Sequence, residues 1–179
     1  MANTFVCSKG SFPFTCLGLP LGHTKPKVED FLPLVNKCER RLACTSSFLS
    51  QAGKLELTNA VLTALPTFHL CALALPKGVL KQIDKFRKHC LGRGSDLNSK
   101  KTSKAAWELV CKPKEEGGLE VLDLPKQNEA LLMKNLDKFL NRRDIPWVTM
   151  VWEKHYPNGK LPRNTRKMVL LVERYLKST

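Results

Sequence analysis

Carboxylates are scarce in this 179-residue chain: 16 Asp and Glu stand against 30 Lys and Arg, a formal charge of +14. Two-metal phosphoryl chemistry needs carboxylates close enough to clamp ions bridging the attacking oxygen and the phosphate, and no paired-aspartate motif is present. Asp123 and Asp144 are single residues at expected helix boundaries, where capping explains them, and Glu115-Glu116 sits in a glycine turn with no partner carboxylate nearby in sequence. A Gly-rich phosphate loop, a nucleophile elbow and a paired-histidine metal motif are missing as well. The sequence therefore offers no catalytic residue, no metal site and no cofactor site. This chain alone is not expected to be an enzyme.

The cysteines lack a disulfide or zinc pattern. Seven of them (Cys7, Cys16, Cys38, Cys44, Cys71, Cys90, Cys111) make an odd number without any Cys-x-x-Cys, and no basic segment followed by an apolar run opens the chain. Reduced thiols in an intracellular protein, nuclear or cytoplasmic and not secreted, are the expectation. A zinc set of Cys38, Cys44, His89 and Cys90 lacks finger or knuckle spacing, so buried structural cysteine is the preferred reading. Residues 57–76 carry no charge over about the length of a membrane span. Asn59, three threonines, His69 and the mid-segment Pro66 argue instead for two short buried helices and no membrane insertion. Internal repeats and low-complexity runs are absent.

What the chain does have is enough apolar residue, 42%, for one core. Residues 12–19 read as a strand. Asp30 is placed to cap a helix with Pro33 in its first turn and Phe31, Leu34, Val35, Cys38 and Leu42 on one face. A second helix starts near Ser50, ends before Pro66 and should bury Leu57, Val61 and Leu65. A third opens at Pro76, with Val79, Ile83, Phe86 and Cys90 inward and Lys77, Lys81, Lys85 and Lys88 on the opposite face. Trp107–Cys111 reads as a short strand before a Gly117-Gly118 turn. Helices follow over about Gln127–Leu140, burying Leu132, Leu136 and Phe139, and around Trp147–Tyr156; Arg163–Lys177 could add a basic one.

The positive charge points to a polyanion. From Lys77 to Lys114 eleven basic residues face Asp84, Asp96 and Glu108, with Lys100 and Lys101 in the loop between helices. The lysine stripe is a plausible phosphate rail; an ordinary solvated face is the alternative, which periodicity alone favours.

An ordered series of segments adds a second kind of information. Phe12-Pro-Phe-Thr-Cys-Leu-Gly-Leu-Pro-Leu-Gly22 is followed by Cys38-Glu-Arg-Arg-Leu42, Leu49-Ser-Gln-Ala-Gly-Lys54, Leu65-Pro-Thr-Phe68 and Leu75-Pro76. Trp107-Glu-Leu-Val-Cys-Lys-Pro-Lys-Glu-Glu-Gly-Gly-Leu119, Asn128-Glu-Ala-Leu-Leu132 and Trp152 complete it. Together they resemble the region after the catalytic palm in plant non-LTR (LINE-type) retrotransposon reverse transcriptases, over roughly residues 5–162. The resemblance implies a mainly α fold: a helical thumb-like domain with a short N-terminal β element, to which the strand reading adds a small β element near 105–122. Residues 1–22 would be the end of the palm with a primer-grip-like hairpin, 23–92 the thumb-like helical region, and 93–162 a basic loop and second helical region.

By the same resemblance Phe14, Thr15, Leu17, Gly18 and Leu19 occupy the hairpin that grips a primer backbone, although packing alone would explain Leu17 and Leu19. The implied function is that of a catalytically incomplete remnant of an RNA-directed DNA polymerase. It would bind RNA or DNA through phosphates, with low affinity and little sequence preference. The alternative is a helical protein-interaction module, self-associating through the face a palm would cover. Departures from the family pattern, among them Cys16 for tyrosine and Gly92 for tryptophan, read as relaxed constraint. Past Pro162 the family continues towards Phe-Trp-Trp-Arg-Asp-Ile-Leu-Lys, whereas this chain has Leu171-Val-Glu-Arg-Tyr-Leu-Lys177, a peptide the same nucleotide string encodes in another frame. Residues 163–179 are therefore expected to be a frameshifted tail.

Overall fold

A computed structural model describes residues 11–45, 49–92 and 105–159. Lys100, Lys101 and the expected tail 163–179 lie outside the described residues. The fold is mainly α, as expected, with one two-stranded antiparallel sheet at its start. Strands β1 (Phe14–Cys16) and β2 (Leu19–Leu21) pair with Phe14 opposite Leu21 and Cys16 opposite Leu19, so 12–19 is a hairpin rather than one strand. Leu17 and Gly18 form the two-residue turn between them, with φ of 51° and 84°. Positive φ at both positions is the type I′ geometry, whose twist matches that of the flanking strands.

The first helix, α1 (Leu32–Thr45), follows a single 3-10 turn at Glu29–Phe31. Asp30 does not cap α1 from in front. It lies within the turn, and its carboxylate reaches back to accept the Lys27 N–H at 2.7 Å, the manner in which an acidic side chain inside a helix start satisfies a donor just outside it. The predicted face of α1 is buried in full: Phe31, Leu34, Val35, Cys38 and Leu42 all join the main core.

Ser50 caps α2 (Gln51–Glu56) by accepting the Gly53 N–H at 3.3 Å, as a serine there should. The helix then widens into a π turn at Leu57–Leu62, and the Thr63 N–H bonds the Thr58 carbonyl five residues back. One extra residue per turn rotates everything after it. Hence the buried residues are Thr58, Leu62 and Thr63, while Leu57, Val61 and Leu65 are half-buried at the margin. The buried hydroxyls are satisfied locally, Thr58 donating to the Lys54 carbonyl and Thr63 to the Thr58 carbonyl.

Pro66 starts the short α3 (Thr67–Ala72), and Pro76 precedes α4 (Lys77–Gly92). Helix α4 is the hub, packing against α1, α2, the π turn and the later helix Leu124–Leu140. Val79, Ile83, Phe86 and Cys90 face inward as predicted, with Leu80 added. Residues 57–76 are thus the two buried helical pieces foreseen, and no helix among the described residues is long and apolar enough to cross a membrane.

The small β element expected near 105–122 is not formed. Trp107–Val110 is instead one helical turn, α5, followed by a 3-10 turn at Lys114–Glu116. Pro113 has no N–H to give a ladder, and the chain doubles back so closely that a Cβ on Gly118 would sit 2.0 Å from the Lys112 carbonyl oxygen. The return is stitched by Leu119 N–H to the Val110 carbonyl and Glu120 N–H to the Lys112 carbonyl, with Glu120 at φ 55°.

Asp123 caps α6 (Leu124–Leu140), accepting the Lys126 N–H at 3.1 Å, so this helix starts three residues before Gln127 with Pro125 in its first turn. Its first half joins the main core through Leu124 and Leu131; its second half, through Leu136 and Phe139, joins a smaller core with α7 (Pro146–His155). Leu132 is only half-buried, and Asp144 makes no cap for α7, whose N-cap position is Ile145. In the smaller core Phe139 stacks on Trp152 at 5.1 Å, and the indole N–H of Trp152 donates to the Phe139 carbonyl at 2.9 Å. Arg142, at φ 45° where glycine is preferred, lays its guanidinium 4.1 Å from the centre of that indole.

Candidate nucleic-acid interface

The lysine stripe is on the surface. Lys77, Lys81, Lys85 and Lys88 are all exposed on α4, on the side away from the residues that fill the core. Eleven residues at 1.5 Å of rise spread the four ammonium groups over about 16 Å, a span that several successive phosphates of one strand could occupy. Asp84, the one carboxylate on this helix, is turned toward the protein by its 2.7 Å ion pair with Arg87 and does not interrupt the stripe. Arg87, though counted among the eleven basic residues of this region, is wholly buried and contributes nothing to the external face.

The hairpin provides a second exposed feature of different character. β1 is exposed along its length, and Leu17 at the turn is 85% exposed. Leucine in the left-handed region costs about 1–2 kcal/mol relative to a residue that tolerates it, and here the cost is not offset by burial. Strain and apolar exposure together at one turn position are the combination expected of a contact residue rather than of a stabilising one. Leu17→Asn should therefore raise folding stability by about 1 kcal/mol, read as a shift in the chemical-denaturation midpoint. A loss of stability instead would mean that the leucine packs in a way its exposure denies.

Of the other hairpin residues, Leu19 packs against the main core, Thr15 pairs with Pro20, and Phe14 lies 5.1 Å from Phe12 with both rings partly exposed. The turn is anchored from α3: His69 Nε2 is 3.2 Å from the Gly18 carbonyl oxygen. A carbonyl can only accept, so Nε2 carries the proton, and Nδ1 is then a bare acceptor, buried without a partner. Burial lowers the His69 pKa, the Gly18 hydrogen bond opposing it, and the ring is neutral at pH 7. Next to it Phe68 is 49% exposed, extending the apolar surface beside the hairpin.

The structure thus divides the residues the sequence singled out into an exposed lysine row and an exposed hairpin tip, each on its own element. Sequence reasoning missed Arg87, Trp107 and Asn128. Arg87 passed for one more cation in a basic helix; only its spacing, one residue after Phe86 and four after Ile83, put it on the apolar side. Trp107 is half-buried, with Arg87 Cζ at 5.4 Å and Lys88 Nζ at 5.3 Å from its ring centre.

Burial makes three of the described thiols harder to ionise. Cys38 lies in the main core, where burial pushes its pKa up to about 11, and burial raises Cys90 and Cys111 as well. Among the described residues no three His, Cys, Asp or Glu side chains are grouped to hold a metal ion.

Over 121 residues, 68% of this chain, the sequence is 36% identical to an Arabidopsis thaliana protein described as a "Putative ribonuclease H protein". The match spans 19% of that protein, so the chain corresponds to about a fifth of its length. No family model matches the chain, and no solved structure matches it significantly.

Proposed function

We propose that this chain is a catalytically incomplete portion of a non-LTR retrotransposon reverse transcriptase, the helical region after the palm, whose own remaining capacity is weak, sequence-insensitive binding of RNA or DNA. The observation that carries the binding reading is the row of four exposed lysines on α4, uninterrupted by an outward carboxylate. The ordered motifs, the mainly α fold and the similarity to a plant protein named for a nuclease of RNA support the origin. Polymerase and ribonuclease centres of the two-metal kind both need clustered carboxylates, and the reading as a catalytically incomplete portion rests on the sequence carrying no paired-aspartate motif.

Binding through phosphates releases counterions, so the apparent affinity for a duplex should fall steeply as salt rises from low to physiological levels. Replacing Lys77, Lys81, Lys85 and Lys88 together by glutamine should flatten that dependence by about three to four on a log–log slope. Circular dichroism should be unchanged, because all four side chains are solvent-exposed. A salt slope equal to that of the parent would return the lysines to the role of a solvated face.

The hairpin favours a second reading. Phe12, Phe14, Leu17 and Phe68 are large, apolar and exposed on one part of the molecule, and among the described residues β1 pairs only with β2. An unpaired edge beside apolar side chains is a docking surface for protein. A concentration-dependent dimer that persists in high salt, with no binding of nucleic acid, would establish this reading in place of the first.

A further inference from the structure

Trp107 occupies a position that the lysine stripe alone does not explain. Four features converge on it. Its indole is half-buried at the end of the stripe, with the ammonium of Lys88, the last lysine, 5.3 Å from the ring centre. The guanidinium of the buried Arg87 is 5.4 Å from the same ring. That guanidinium donates to the Leu122 carbonyl at 2.6 Å, which ties residues 107–122 back onto α4. Finally, the return of the chain from Lys112 to Leu119 is fixed by close backbone packing at Gly118, so the turn carrying Trp107 is held from both sides.

We propose that Trp107 is a stacking site for an unpaired base and that, together with Lys88, it gives the α4 surface a preference for single-stranded over duplex nucleic acid. This rests on the nucleic-acid reading above. An indole face accepts any base, whereas paired bases in a duplex present their faces to one another and not to protein. Lys88 is exposed and its contact with the ring is exchangeable, since an exposed cation–π pair is weak. A base arriving on the indole displaces the ammonium, which then meets the phosphate of the same nucleotide. Arg87 stays in place, held by Asp84, Thr63 and Leu122, and is a positioning residue.

The test uses three fluorescein-labelled probes of about 16 nucleotides: a single-stranded oligonucleotide, its duplex, and an abasic single strand with the same number of phosphates. The parent protein should bind the base-bearing single strand about tenfold more tightly than the abasic one. Trp107→Leu should abolish that difference, leave duplex affinity within about twofold, and leave the salt slope intact; Trp107→Phe should retain part of the difference. The quadruple lysine-to-glutamine variant should weaken all three probes together. Equal binding of base-bearing and abasic strands by the parent overturns the stacking site and leaves the phosphate rail standing. A Trp107→Leu loss that is uniform across the probes shows a structural role and also overturns it. Failure of the parent to bind any probe removes both readings.

Discussion

Replacing Arg87 by methionine is expected to lower folding stability by about 3–5 kcal/mol, the cost of removing one partner from a buried ion pair. The guanidinium is wholly buried and makes three hydrogen bonds: to Asp84 at 2.7 Å, to the Thr63 hydroxyl at 3.0 Å and to the Leu122 carbonyl at 2.6 Å. Methionine fills much of the volume but leaves Asp84, whose side chain is only 13% exposed, without its cation. The acid titration carries a second signature. Burial already raises the Asp84 pKa above 3.8 despite the attraction of Arg87. A raised pKa means that the folded state holds the proton more tightly than the unfolded state, so this group favours folding as pH falls through that window. Without Arg87 the carboxyl should rise further, and the stability gap between variant and parent should narrow at acid pH. Denaturant midpoints at neutral and acid pH measure both effects; a gap under 1 kcal/mol at neutral pH would show that the guanidinium ties nothing together.

Asn128→Asp is expected to cost about 3 kcal/mol or more, although it alters no shape. Asn128 is 6% exposed on α6 and spends its whole amide on the link between α3 and α4. Its oxygen accepts the Leu75 N–H at 3.0 Å, and its Nδ2 donates to the Leu70 and Leu73 carbonyls at 2.8 and 2.9 Å. A carboxylate keeps the first bond and turns the other two into contacts between oxygens, in a place where each unsatisfied buried group costs about 1–3 kcal/mol. Aspartate should therefore be at least as damaging as alanine at neutral pH, and should recover in part once acid lets the carboxyl donate one hydrogen bond. Amide exchange at Leu73 and Leu75 should accelerate in step with the loss. If Asn128→Asp unfolds at the denaturant concentration of the parent, the amide network is not what fixes the link.

These two residues also mark where legibility in the sequence ended. The helices with a clean apolar period, α1 and α4, are legible because side-chain spacing on a single helix needs no partner to be read. The same holds for the helix start near Ser50, for Asp123 as a cap, for the termini set by Pro66 and Pro76, and for the outward lysines of α4. The misreadings share a cause. Leu57, Val61 and Leu65 were assigned to the buried face on an α period, and the π turn at Leu57–Leu62 moved the burial to Thr58, Leu62 and Thr63. Trp107–Val110 has the composition of a strand but has no neighbouring strand to pair with among the described residues, and becomes a helical turn.

What the sequence determined by itself was the charge, the scarcity of carboxylates, and the sides of α1 and α4 that face water, since these depend on residue type and on periods of a few residues. The tertiary structure alone decided that one of eleven basic residues is a buried tie, that an asparagine completes the backbone of a distant turn, and that Trp107 ends beside Lys88. Each of these couples residues well separated along the chain, from Arg87 to Leu122 and from Leu75 to Asn128. A long-range pair forms only when several helices have packed to exclude water, and no local pattern records which polar group will be enclosed with which.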